Sequence, residues 1–153
     1  MFESELRAIL GEIPQGAECP FPQEEFDARL TALRARMAEK DFELLLVSGA
    51  ENIFYLSGQQ TPGYYTFQCL AIPANGSPFL VIRGLEAPNA RLKSTLSDIS
   101  GYPDDADPAA AVAAVLKERG WAGCCGIEPI PAAWSLAFIE RGKAERELTS
   151  RPL

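Results

Sequence analysis

The side chains able to do chemistry in this chain are carboxylates, thiols and phenols. Histidine is absent. That excludes Ser-His and Cys-His nucleophile pairs, His-ligated zinc or iron, and an imidazole base. Asp104, Asp105 and Asp107 form the densest acidic cluster. Oxygens so placed could hold a hard cation, but the turn Gly and closing Glu of a calcium loop are missing. Asp107 directly before Pro108 reads more simply as a helix cap. Glu86 and Glu128 each follow a predicted strand, where a carboxylate can act as acid or base. A solvated or helix-capping role is the plainer reading for both. The cysteines, Cys19, Cys69, Cys124 and Cys125, form no C-x-x-C pair. No neighbouring cation activates Cys124-Cys125, so the thiols read as small buried hydrophobes. Phosphate-binding glycine loops and a G-x-S-x-G elbow are also missing.

The segment Gly63-Tyr64-Tyr65-Thr66-Phe67-Gln68 stands apart, with three aromatics and two hydrogen-bonding side chains in six residues. On a strand, Tyr64, Thr66 and Gln68 would face one way and Tyr65 and Phe67 the other. One face could then enter the core while the other met a ligand or partner. An ordinary aromatic strand is the alternative.

The positioning elements follow from periodicity. Phe2, Leu6, Ile9 and Leu10 predict a short helix closed by Gly11, and residues 14–22 a proline-rich linker. Phe26, Leu30, Leu33 and Met37 predict an amphipathic helix over 23–40, with Pro22 at its first position. Leu44–Val47 is an apolar run suited to a strand buried on both faces. A helical turn over 52–56, a strand over 65–72, a turn at 73–76 and a strand over 78–83 follow, the two strands forming an antiparallel hairpin. Residues 85–96 form a weaker helix pattern interrupted by Pro88, and 99–102 a short strand. Asp107-Pro108 opens an alanine-rich helix stopped at Gly120, with Val112, Val115 and Leu116 as its buried stripe. A strand over 124–127 and a helix over 132–147 complete the pattern. Alternating helices and strands with one inserted hairpin predict an α/β fold, a mixed sheet flanked by helices.

Length and composition narrow the classes. A chain of 153 residues suits one domain with its own core. The net charge of −7 argues against a nucleic-acid or anionic-membrane surface. No signal-peptide pattern opens the chain and no apolar run reaches a membrane span, so a cytoplasmic protein is expected.

The order E-E-F-D-A-R-L-T-A-L-R-A-R-M (24–37), D-F-E-L-L-L-V (41–47) and E-N-I-F-Y-L-S-G (51–58) resembles the amino-terminal domain of the creatinase, prolidase and aminopeptidase P family. G-Y-Y-T-F-Q-C-L-A-I-P (63–73), P-F-L-V-I-R (78–83), Glu86, Asn89, G-Y-P-D-D-A-D-P (101–108) and G-I-E (126–128) continue the match. The most specific piece is N-I-x-Y-L-S-G in its place after the first strand.

The resemblance implies a ribonuclease H-like α/β domain over 22–153, preceded by a helix and linker over 1–21. In the family the metal ligands and catalytic groups lie in a separate pita-bread domain, so this chain alone would be non-catalytic and hold no metal. A divalent metal would belong to the catalytic domain of a parent C–N hydrolase, of Xaa-Pro peptidase, dipeptidase, creatinase or ectoine-hydrolase type. That domain and a second copy of the chain are the implied partners, with loops of this domain closing the neighbour's active site. By position, Tyr64 and Thr66 take the places of an aromatic and an arginine that touch substrate in the family, and Phe54, Tyr55 and Tyr65 join them as the substrate-proximal candidates. Creatine-cleaving members carry an arginine where this chain has Thr66, which disfavours creatine and leaves a proline dipeptide, a peptide or a cyclic amidine. The alternatives are a stand-alone small-molecule or protein-binding module and, last, a carboxylate enzyme within this domain.

Overall fold

The structure, a computed structural model, describes residues 2–63, 65–121, 125–128 and 150–152. Its helices are α1 (Phe2–Glu12), α2 (Gln23–Glu39), α3 (Ala50–Ser57), α4 (Ala87–Lys93) and α5 (Pro108–Glu118). Its strands are β1 (Leu44–Val47), β2 (Cys69–Pro73), β3 (Phe79–Arg83), β4 (Asp98–Tyr102), β5 (Cys125–Ile127) and β6 (Ser150–Pro152). They form one sheet in the order β4-β3-β2-β1-β5-β6. Strand β2 runs antiparallel to both neighbours, and every other pairing is parallel. The expected α/β class, mixed sheet and hairpin are all present.

The period-2 alternation of the strands divides the core between two faces. Leu44, Leu46, Cys69, Ala71, Phe79, Val81, Cys125 and Ile127 point to the α5 side and meet Val112 and Leu116. Leu45, Val47, Leu70, Ile72, Leu80 and Ile82 point to the opposite side, against Leu6, Met37, Ile53, Ala87 and Ala90. Strand β1 is buried on both faces, as its unbroken apolar run predicts. Cys69 and Cys125 are core residues, and burial pushes the Cys69 thiol far above the usual thiol range.

Local chemistry sets the element ends. Asp107 caps α5 by accepting from the Ala109 N–H at 2.9 Å, and Pro108 sits in the first turn without needing a donor. Gly58 ends α3 in the left-handed region at φ 81°, and a Cβ there would lie 2.9 Å from Cys19 Sγ. Arg34 of α2 holds the hairpin turn through the carbonyls of Pro73, at 3.1 Å, and Gly76.

Several boundaries differ from expectation. Gly11 does not stop α1, which continues to Glu12; a Cβ on Gly11 would meet open space, and its φ is not positive, so it forms no turn. Pro22 is the N-cap of α2 rather than its first helical residue, with φ −66° and ψ 155°. Helix α3 extends past both ends of the single predicted turn. The 85–96 pattern resolves into a 3-10 turn (Gly84–Glu86) and α4, with Pro88 in the first turn where it costs no hydrogen bond. The predicted helix over 132–147 and Cys124 lie outside the described residues. Among the described residues no helix is long and apolar enough to cross a membrane.

The largest correction concerns 65–68, which is not strand. The Thr66 N–H and Oγ1 both donate to the Gly63 carbonyl, at 2.8 and 2.7 Å. That closes a turn over 63–66, so the ladder begins only at Cys69. The expected strand face shared by Thr66 and Gln68 is therefore not realised, and Tyr64, the third residue of that face, lies outside the described residues.

Tyr102 ties this region to the sheet, its hydroxyl donating to the Phe67 carbonyl. Burial raises its phenol from 10.0 to about 12, with Arg83 opposing and Asp104 adding to the shift. In the unfolded chain the phenol ionises first as pH rises, so the native state then holds the extra proton. Stability should therefore fall as pH climbs from 10 to about 12. Tyr102→Phe should remove that part of the alkaline slope, at a cost of about 1 kcal/mol for the lost hydrogen bond. Urea titrations of both proteins across the window check this; an identical alkaline slope in the variant would refute it.

Candidate functional site

Strands β1, β3, β4 and β5 all run in one direction, so their carboxyl ends meet at one end of the sheet. Ligands of open α/β sheets bind at that end, where loops and helix N-termini converge. Here it gathers Ser48-Gly49 after β1, Arg83–Glu86 after β3, Tyr102–Asp104 after β4 and Glu128 after β5. Phe67 and Gln68 enter β2 from the same end.

Glu128 is the most constrained of these groups, only 9% exposed. Its Oε2 accepts the N–H groups of Ser48 and Gly49 at 2.8 and 2.6 Å, and its Oε1 accepts Asn52 Nδ2. Its own N–H donates to Leu46 at 2.9 Å, which seats the carboxylate beside β1. Gly49 is the N-cap of α3 and has no side chain with which to cap. The carboxylate of Glu128 supplies that function from across the sheet, favoured by the helix dipole. A Cβ on Gly49 would lie 2.9 Å from Glu128 Oε1, so the residue must be small. With both oxygens engaged, Glu128 acts as a cap, the plainer of its two readings.

Glu86 has a different partner. Its Oε2 accepts Thr61 Oγ1 at 2.7 Å, and Asn89 Nδ2 donates to the Gln60 carbonyl. Thr61 Oγ1 also accepts the Gly63 N–H at 2.9 Å. Residues 59–63 are thus pinned along the start of α4, and the turn over 63–66 projects from that anchor. Arg83 forms a two-pronged pair with Asp104, each contact 2.6 Å, which lowers the Asp104 carboxyl below its ordinary range. Asp104 is therefore half of an ion pair and Asp107 a helix cap. No group of three or more Cys, Asp or Glu among the described residues is placed to hold a metal.

The substrate-proximal candidates separate into two environments. Tyr65 is 70% exposed on the turn, near enough to Arg83 to act on its charge, and Thr66 is half-buried. Tyr64 lies outside the described residues. Phe54 and Tyr55 sit on α3 and turn toward α2 and the 14–22 segment. The Phe54 ring is 6.3 Å from Phe21, and Arg29 stacks 4.3 Å over Tyr55 while donating to its carbonyl at 2.7 Å. Their described contacts thus lead to different elements from those of the turn.

Three features were not found from sequence: the Ser48-Gly49-Asn52 cradle, the Arg83–Asp104 pair, and the buried amides of Gln59 and Gln68. Gln59 is 2% exposed, and neither of its side-chain polar atoms has a hydrogen-bond partner among the described residues; Gln68 Oε1 is in the same state. The one readable signal was Gly49, a helix start lacking its own cap.

The Creatinase/Prolidase N-terminal domain family matches residues 29–148. An ectoine hydrolase of Halomonas elongata is 32% identical over 120 residues, covering 71% of this chain and 30% of that protein. An uncharacterized hydrolase/peptidase of Sinorhizobium fredii is 32% identical over 142 residues, covering 86% of this chain and 35% of its own length. The chain thus spans about a third of the curated relatives it matches. The fold is shared with the N-terminal domain of an X-Pro dipeptidase from Streptococcus pyogenes, with TM-score 0.65, 20% identity, and 82% and 99% of the two chains covered. It is shared also with the dipeptidase PepE of Mycobacterium ulcerans, with TM-score 0.67, 21% identity, and 85% and 34% covered.

Proposed function

We propose, from the premise that this chain belongs to the Creatinase/Prolidase N-terminal domain family, that it is the non-catalytic front domain of a larger C–N hydrolase. Its role is to shape substrate access and to support dimerisation. The observation that carries this is the family match over 29–148, in a chain spanning a third of relatives named as hydrolases. On this reading residues 22–153 are the accessory domain, residues 1–21 lead into it, and a pita-bread domain holds the metal that activates water. The protein works in the cytoplasm.

The domain's own part is binding and orientation. The turn carrying Tyr65 and Thr66 faces a neighbouring catalytic site, with Tyr64 kept as a candidate by its place in the sequence, while Glu86 and Asn89 hold the base of the turn. The exposed Tyr65 offers rigid apolar area and a polar tip, suited to a small amide substrate. The names of the relatives favour two substrate classes, a cyclic amidine such as ectoine and a dipeptide.

The test uses a protein in which this chain continues into its catalytic domain, assayed on ectoine and on an Xaa-Pro dipeptide. Tyr64→Ala and Tyr65→Ala should each raise KM by about tenfold, equivalent to 1.4 kcal/mol, with kcat less affected. Kinetics indifferent to both substitutions would sink the site assignment. A stop codon directly after Leu153 would favour the stand-alone binding module instead.

A further inference from the structure

Strand β4 is one edge of the sheet. It pairs with β3 along Phe79↔Asp98 to Arg83↔Tyr102. Among the described residues, 98–102 make no backbone hydrogen bond outside that ladder. The outward N–H and C=O groups of such a strand form a template for another strand. Proteins usually blunt an edge with lysine, proline or a covering element. Asp98-Ile99-Ser100-Gly101-Tyr102 has neither residue, and its one charge is matched by Arg119, whose Nη2 reaches Asp98 Oδ1 at 2.9 Å.

A groove of about 500 Å³ runs along this edge. Arg7 and Leu10 of α1 border it from one face of the sheet, and Arg119, at the end of α5, from the other; Arg91 and Ser97 also line it. Three guanidiniums and one carboxylate line the groove in a chain of net charge −7. Arg119 is engaged by Asp98, Arg7 by Glu3 at 2.7 Å, and Glu118 acts on both from outside. Arg91 donates its Nε to the Ile13 carbonyl at 3.1 Å and contacts no carboxylate among the described residues. Its charge is therefore the uncompensated one, beside an open strand edge.

We infer that the β4 edge accepts an extended acidic peptide segment as an added strand. Backbone pairing with β4 supplies the affinity, and Arg91, whose charge has no carboxylate contact among the described residues, selects carboxylate side chains. A second copy would set the same guanidiniums against one another and add two chains of charge −7. Strand β6 is at the far edge of the sheet, five strand spacings or about 24 Å away, and among the described residues no strand pairs with the outward side of β4.

Hydrogen exchange of the 153-residue chain tests this, with a short synthetic peptide alternating Glu and Val as the probe. Outward amides within 98–102 should exchange at least about tenfold more slowly at saturation. A peptide alternating Lys and Val should leave them unchanged. Arg91→Gln should weaken Glu-Val binding by about tenfold, as should added salt. Arg7→Glu provides a second variant, because that side chain is 72% exposed on α1 and its replacement leaves the core intact. The proposal is overturned if the Lys-Val peptide protects equally, or if no protection develops up to about 1 mM peptide. Protection that arises without peptide and grows with protein concentration would also overturn it, since a second copy would then fill the edge.

Discussion

Glu128→Ala should destabilise the chain by about 3–5 kcal/mol, among the largest effects available to a polar substitution here. The carboxylate accepts the Ser48 and Gly49 N–H groups and Asn52 Nδ2 in a buried setting. Removing it strands three donors, at about 1–3 kcal/mol each before water relieves some of them. It also removes a negative charge from the start of α3, worth about 0.3–1 kcal/mol or more. Glu128→Gln keeps acceptor capacity on one atom but turns an NH2 toward donors, so about half the loss should remain. Urea denaturation followed by far-UV circular dichroism measures both variants. A loss below about 1 kcal/mol for Glu128→Ala would mean that water replaces the carboxylate freely and that α3 has no need of the clamp. Because α3 leads through Gly58 into the anchored 59–63 segment, the same variant should speed hydrogen exchange over 50–63 ahead of global unfolding.

Phe79→Ala should cost about 3–5 kcal/mol and Leu80→Ala about 2–5 kcal/mol. These consecutive residues of β3 point to opposite faces. Phe79 enters the α5-side core and carries Arg119 stacked 4.1 Å over its ring. Leu80 enters the core built by α1 to α4 and is fully buried. Each truncation opens a cavity that neither the sheet nor its helices can collapse around without breaking β3 ladder bonds on both sides. Phe79→Ala also releases the Arg119 guanidinium from its ring, adding about 0.5–1 kcal/mol at that half-exposed position. Thermal and urea unfolding decide the matter. A tolerant response at either position would show that one helix layer contributes little to the core.

Elements whose signal is local were legible from sequence. Leu44–Val47 is an uninterrupted apolar run bounded by turn residues, which suits a strand covered on both faces, as β1 is. Asp107-Pro108 encodes a helix start, because the Asp oxygen can reach the next free N–H groups while Pro has none to satisfy. Hydrophobic spacing over 26–37 placed α2 to within a residue of each end. The segment 65–68 departs from the strand expected there because aromatic and polar alternation is compatible with a strand but does not require one. The competing bonds from Thr66 to Gly63 form a turn whose residues carry no strong turn signature. Glu128 was legible as a capping carboxylate, but not its partners. Ser48 and Gly49 are 80 and 79 residues away, and only the β1–β5 pairing brings them within reach.

The sequence by itself determined the class of this protein. Local periodicity and ordered motifs specify an α/β domain of a known family, and the lack of histidine removes whole classes of catalysis from it. Tertiary structure alone decided how the polar residues are used. Glu128 caps a helix, Glu86 anchors a loop, Asp104 pairs with Arg83, and β4 is the edge strand of the described sheet, with Arg91 lining the groove beside it. A residue's type states what it can donate or accept, which the sequence records. What it does donate to or accept from depends on strand order and burial, and those are set by how the whole chain divides its apolar surface between two faces of one sheet.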